Sequence, residues 1–221
     1  MSLLEETYEK HINKDISSSG YARLFANRHD KLARFCRSVH AAVIKSGNDL
    51  ENLVFDFCNI KNKFKNHTFN GQFMNDVDAF VLKYKINKTN FSNGKGADVD
   101  AVIFKKDKIL VCELKDGENF DTKKSAGEVD KLQAVCAFLK QKDSLNRKVE
   151  PVIVLWNCND LSTASFKDKR GQAMLKTGSD FAKIVSIDYN SLNAVRDEKN
   201  RKNLSYAMRM LEEIRSDEAV V

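Results

Sequence analysis

Residues 97–115 read ADVDAVIFKKDKILVCELK. Two short apolar runs, 101–104 and 109–112, flank the turn-like segment 105–108, which is the pattern of an antiparallel β-hairpin. The first strand opens on Asp98 and Asp100, and the second closes on Glu113 and Lys115. Side chains alternate along a strand, so Asp98 and Asp100 are expected on one face, and Glu113 and Lys115 likewise. In a tight hairpin the start of one strand lies beside the end of the next. Two or three carboxylates and one ammonium therefore converge at one end of a small sheet. Charges at the end of a buried strand are costly unless paired or bound to a cation. An oxygen-rich cluster of this kind suits hard divalent cations such as Mg²⁺, and metal-assisted phosphodiester hydrolysis needs one.

The rest of the chain narrows the classes. Its 221 residues, 42% hydrophobic and 31% charged, suit one good-sized domain or a domain with a helical appendage. No apolar run approaches the roughly 20 residues that span a bilayer. The start, Met1 to Glu6, lacks a basic segment followed by an apolar stretch, so secretion is not expected and a cytoplasmic location is. Five widely spaced cysteines without a C-x-x-C pair argue against a zinc site or disulfide framework. The four histidines show no metalloprotease spacing, and no phosphate-binding G-x-x-x-x-G-K-[ST] loop is present. A net charge of +6 fits a polyanionic partner. Acids collected at one point of a basic protein suggest cations bridging to phosphate.

Outside the hairpin, apolar spacing predicts a helix over residues 2–13 and a second over about 21–45. Gly47-Asn48 should stop that helix, with Asp49 capping another over about 50–64. Alternation at Phe80, Leu82 and Tyr84 predicts a strand late in residues 73–86. A helix is expected from about residue 125, with Val129, Leu132, Val135, Cys136 and Leu139 buried. Residues 149–156 read as a buried strand, parallel to 109–115 through that helical crossover. A short strand over 182–187 and a long helix over about 192–215, apolar through Leu204, Ala207, Met208, Leu211 and Ile214, complete the chain.

The acidic hairpin resembles the PD-(D/E)XK nuclease superfamily, with Asp100 as the lone acid and Glu113-Leu114-Lys115 as the E-x-K element. The resemblance covers roughly residues 47–140 and points to a type II restriction endonuclease. The proline of that motif is missing; Ala97-Asp98 or Val99-Asp100 stands in its place. Which aspartate holds the metal is therefore open, although Asp100 abuts the apolar strand and is the better fixed. The resemblance implies an α/β fold: a restriction-endonuclease-like central mixed sheet of about five strands flanked by helices, with a helical N-terminal region. A single nuclease domain over 1–221 would comprise helices over 1–65, a catalytic core over 73–160, and a recognition loop and C-terminal helix over 161–221.

Candidate roles follow. Asp100, Glu113, the Leu114 carbonyl and Asp98 are the candidate metal ligands, for Mg²⁺ with Mn²⁺ able to substitute. Lys115 is placed to orient an attacking water and to stabilise developing negative charge. Glu51 lies in a stretch, 46–53, similar to the helix before the core sheet of several restriction enzymes, where a glutamate assists the metal. Lys123, Lys124 and Lys131 are candidates for gripping the scissile phosphate, and Lys167, Lys169, Arg170 and Gln172 for reading DNA. Double-stranded DNA is the expected partner. One site per chain and two strands to cut imply a two-fold homodimer on a palindromic sequence. A structure-specific nuclease such as a junction resolvase, or a catalytically inert DNA-binding relative, are the alternatives.

Overall fold

The computed structural model of the chain describes residues 1–14, 20–24, 30–70, 75, 77–87, 96–117, 125–164 and 168–218. In chain order the elements are α1 (Leu3–Ile12), α2 (Gly20–Leu24), α3 (Asp30–Phe57), β1 (Asn62–Lys65), β2 (Asp78–Ile86), β3 (Ala97–Lys105), β4 (Lys108–Lys115), α4 (Ser125–Lys142), β5 (Lys148–Leu155), α5 (Lys169–Gln172), β6 (Leu175–Thr177), α6 (Gly178–Ile184) and α7 (Tyr189–Glu218). They fall into two units: Leu50–Tyr189, and a helical unit of Met1–Asp49 with Asn190–Val221. Among the described residues no helix is long and apolar enough to cross a membrane.

The sheet unit is organised around the 97–115 hairpin. Ala101 pairs with Cys112 and Phe104 with Ile109. β2 joins β3 antiparallel, β5 joins β4 parallel, and β1 and β6 add parallel edges, giving the order β1-β2-β3-β4-β5-β6. This is the mixed sheet expected, with six strands among the described residues against about five expected. Val129, Leu132, Val135 and Leu139 of α4 cover one face, against Val102, Phe104, Ile109, Val111, Ile153 and Leu155. On the other face Phe55 of α3 meets Phe80 with ring centroids 5.7 Å apart, and α6 packs on β5 and β6. Strands covered on both faces read as near-continuous apolar runs, as these do.

Three local expectations are corrected. The stop at Gly47-Asn48 is absent: α3 runs unbroken from Asp30 to Phe57, because a helical glycine costs only about 1 kcal/mol against alanine. The same helix ends before 64. Lys63 Nζ donates to the carbonyls of Phe55, Asp56 and Cys58 at 3.1, 3.3 and 3.1 Å, satisfying the helix C-terminus, and Asn62–Lys65 pairs with β2 instead. Residues 182–187 form no strand. Phe181, Ala182 and Val185 bury one face of a helical segment whose N-cap, Thr177, accepts from the Asp180 N–H at 3.1 Å. Short apolar runs fit either element, and periodicity alone does not separate them.

One irregularity positions the site. Along β2, Ala79 and Val81 face α4, and so do Tyr84 and Ile86; along β3, Val102 and Phe104 face it, and so do Ala97 and Val99. Each strand therefore carries one extra residue at the same level. Leu82 pairs with Ala101 and Tyr84 with Val99, while Lys83 and Asp100 between them drop out of the ladder. Lys83 sits in left-handed backbone at φ 57°, a conformation that costs a non-glycine residue on the order of 1–3 kcal/mol.

In the helical unit, Leu4, Tyr8, Phe35, Ala42, Tyr206, Met210 and Ile214 form the core. Ion pairs of Lys31 with Asp217 at 3.0 Å and Lys199 with Asp49 at 3.1 Å run α3 and α7 antiparallel. The expected apolar face of α7 is corrected. Leu204, Met208 and Leu211 are 62%, 53% and 45% exposed. Ile214 is buried as expected and Ala207 packs against the same core, but Tyr206 and Met210 complete the buried row instead, because Tyr8 of α1 packs on Tyr206. Both rows have 3–4 spacing, so the sequence pattern alone could not choose between them.

Two glycine substitutions test these points with opposite signs. A Cβ on Gly178 would stand 2.3 Å from the Trp156 carbonyl oxygen, so Gly178→Ala is expected to lower stability by about 1–3 kcal/mol. Gly47 has open space around it in an unbroken helix, and Gly47→Ala is expected to raise stability by about 0.5–1 kcal/mol. Urea unfolding of the two variants reads both; destabilisation by Gly47→Ala would mean that α3 breaks there.

Candidate active site

Displaced from the alternation, Asp100 reaches across to β4, where its Oδ2 accepts the Leu114 N–H at 2.8 Å. It takes a hydrogen bond that a β3 carbonyl would otherwise accept. β3 and β4 consequently stop pairing at Ala101 and Cys112, while β4 continues beside β5 as far as Lys115 and Leu155. The two central strands splay at their acidic end. A strand residue presents its N–H and C=O to the same side, so the Leu114 carbonyl faces this cleft as well.

Glu113, only 4% exposed, lies on the face of β4 that α4 covers. Lys115, two residues on, donates to its Oε1 at 2.7 Å, and Lys131 of α4 donates to its Oε2 at 3.0 Å. Lys131 also lies 2.5 Å from Glu128 Oε2. Glu51, buried on α3, pairs with Lys83. Asp98 parts from Asp100: it is exposed, opposite Lys85 in the β2–β3 register. The expectation that the two aspartates share a face fails because the extra residue at Asp100 breaks the alternation.

Electrostatics bind these groups together. Burial first, then the Glu113 and Glu51 carboxylates, push the Asp100 carboxyl up to about 7, against the Leu114 N–H and the Lys115 ammonium. Burial works to lower the Lys115 ammonium, but Glu113, and beyond it Asp100 and Glu128, outweigh it and raise the group. Lys131 is raised by the same opposition between burial and its two glutamates. Three acids thus feel one another at the splay. Among the described residues, however, no three His, Cys, Asp or Glu side chains are grouped so as to hold a metal ion. Asp100 and Glu113 with the Leu114 carbonyl offer the hard oxygen donors that a divalent cation takes, and Glu51 stands beside them through its effect on Asp100.

The candidate DNA-contacting residues divide. Lys123, Lys124 and Lys167 lie outside the described residues. Lys169 and Gln172 are exposed on α5. The Arg170 guanidinium, about half exposed, is engaged by Asp168 at 2.6 Å, Asp130 at 2.9 Å and Gln133 at 3.2 Å. Lys131 joins the acidic cluster itself. Lys83 left no sequence signal, since the strand kink brings it in; Lys131, a candidate for the scissile phosphate, is set on Glu113 and Glu128 by the packing of α4.

A curated relative, the type II restriction enzyme HhaII of Haemophilus parahaemolyticus, is 31% identical over 199 residues, covering 86% of each chain. The chain belongs to the type II restriction enzyme family. No protein-family model and no solved structure matches it. The likeness to this family reaches well beyond the 47–140 segment on which the motif resemblance rests.

The raised Asp100 has a measurable consequence. Its ordinary value is 3.8 and its value in the folded chain about 7. Between these the folded state holds a proton that the unfolded state has lost, so stability falls as pH rises from about 4 to about 7, then levels off. Asp100→Asn keeps an acceptor for the Leu114 N–H without the charge. In chelator-containing buffer its stability relative to wild type should grow from pH 5 to pH 8. A stability difference independent of pH would mean that Asp100 is not raised.

Proposed function

We propose that the chain is a Mg²⁺-dependent endonuclease that hydrolyses phosphodiester bonds of double-stranded DNA at a short specific sequence, with Mn²⁺ able to substitute. What carries this reading is the meeting of Asp100, Glu113 and Lys115 at the splay of β3 and β4, in a chain 31% identical to a type II restriction enzyme. The same residues form the PD-(D/E)XK pattern, with Asp100 in the acid position rather than the exposed Asp98.

Asp100, Glu113 and the Leu114 carbonyl would hold the cation, with Glu51 assisting from α3. A divalent ion so held would supply Lewis acidity toward the scissile phosphate and the attacking water. Lys115, anchored on Glu113, would orient the attacking water and offset charge on the scissile phosphate in the transition state. Attack by water leaves a 5′-phosphate and a 3′-hydroxyl. The net charge of +6 draws duplex DNA to the chain, and Lys169 and Gln172 on α5 are exposed for contact with it. One such site cuts one strand, so two copies related by a two-fold axis cut a palindromic duplex.

Incubation with phage or plasmid DNA and Mg²⁺ should yield discrete fragments with common ends. Asp100→Ala and Lys115→Ala should each lower the cleavage rate by roughly a thousandfold or more, with duplex binding in a gel-shift assay retained. Wild-type cleavage by either variant would reject the assignment, and a ladder without discrete bands would reject sequence specificity.

A further inference from the structure

Lys131 does more than its position on a helix surface requires. An i,i+3 pair with Glu128 is an ordinary feature of a solvated helix face and contributes little to stability. That account leaves out the contact with Glu113, which belongs to a different element, is buried, and already has Lys115 on its other oxygen. A buried carboxylate needs one compensating charge, and Glu113 has two. Each of its oxygens is met by an ammonium group, one from β4 and one from α4. An oxygen held by ammonium is a poor donor to a divalent ion, since the two cations repel across it.

The geometry also supplies an exit. The Lys131 side chain is partly exposed and is shared between Glu113 and Glu128, so its head group can leave one glutamate without losing the other. Lysine carries its charge on a flexible four-carbon stem, and a DNA phosphate arriving at the splay offers it a third anionic partner.

Taking the nuclease reading of the site as given, we propose that Lys131 holds the cation-binding oxygen of Glu113 in the free protein and passes to a DNA phosphate when duplex docks. Cation loading then follows DNA binding. By linkage the coupling runs in both directions: duplex raises the affinity for the cation, and the cation raises the affinity for duplex. Lys131 is on this account a positioning residue, acting through Glu113.

The test uses Mn²⁺ as probe, titrated calorimetrically into the full chain with and without a short duplex of random sequence. Lys131→Met, without the charge, should bind Mn²⁺ in the absence of DNA about tenfold more tightly than wild type. Lys131→Arg, which keeps the charge, should stay within about twofold of wild type. Duplex should tighten Mn²⁺ binding by wild type and leave that of Lys131→Met nearly unchanged. Equal or weaker Mn²⁺ binding by Lys131→Met without DNA overturns the proposal, and so does absence of Mn²⁺ binding by both proteins. Lys131→Gln repeats the measurement should Lys131→Met unfold early in a thermal melt. The nuclease reading stands or falls separately, on loss of plasmid cleavage by Asp100→Ala, so an unchanged Mn²⁺ affinity in Lys131→Met rejects the role of Lys131 alone.

Discussion

A single hydrogen bond, from the Leu114 N–H to the Asp100 carboxylate, organises the acidic end of the sheet. It replaces a rung of the β3–β4 ladder with a side chain, and the rung cannot be both. The hairpin must therefore open where its two acidic residues face each other. In opening, it leaves the Leu114 carbonyl toward the gap between the two central strands, with the Glu113 side chain beside it on the face that α4 covers. The irregularity at Lys83 and Asp100 is what frees the aspartate to do this. A strictly alternating β3 would direct Asp100 to a face of the sheet rather than along its plane.

Gathering acids from β3, β4, α3 and α4 at one end of the sheet has an electrostatic cost, and the lysines offset it. Glu51, Asp100, Glu113 and Glu128 are answered by Lys83, Lys115 and Lys131. The balance is incomplete at Asp100, the acid most affected by its neighbours and held well above its ordinary range. Local strain and uncompensated charge meet at this level of the sheet. Such combinations persist where the surrounding structure over-determines them, and they cluster at functional sites.

Much of this was legible in the sequence. The hairpin, the helical crossover and the parallel β5 follow from apolar runs whose length and spacing admit one reading, and the acids at the hairpin's end follow from register. What escaped were features that a period of two or 3.6 does not encode. The extra residue at Lys83 leaves Phe80, Leu82 and Tyr84 all buried, so the sequence still reads as plain alternation although Tyr84 faces the opposite side. On α7, two rows that share Ile214 competed, and the packing of Tyr8 on Tyr206 chose Tyr206 and Met210 over Leu204, Met208 and Leu211. At Gly47-Asn48 a local stop signal lost to the packing of a 28-residue helix.

The choice between the two aspartates shows why local irregularity matters more here than motif spacing. By sequence, only its place against the apolar run favours Asp100 over Asp98: each precedes a small or branched apolar residue, and regular alternation would put them on one face. The kink separates them. Asp98 keeps its place in the β2–β3 ladder opposite Lys85 and stays exposed. Asp100, out of the ladder, bonds to the strand that carries Glu113 and Lys115. An acid fixed by a backbone N–H on that strand has lost its rotational freedom before any ligand arrives, whereas an exposed one must still be ordered. Preorganisation of this kind favours Asp100 as the cation ligand, and it comes from the backbone of β2 and β3 rather than from the acidic residues themselves.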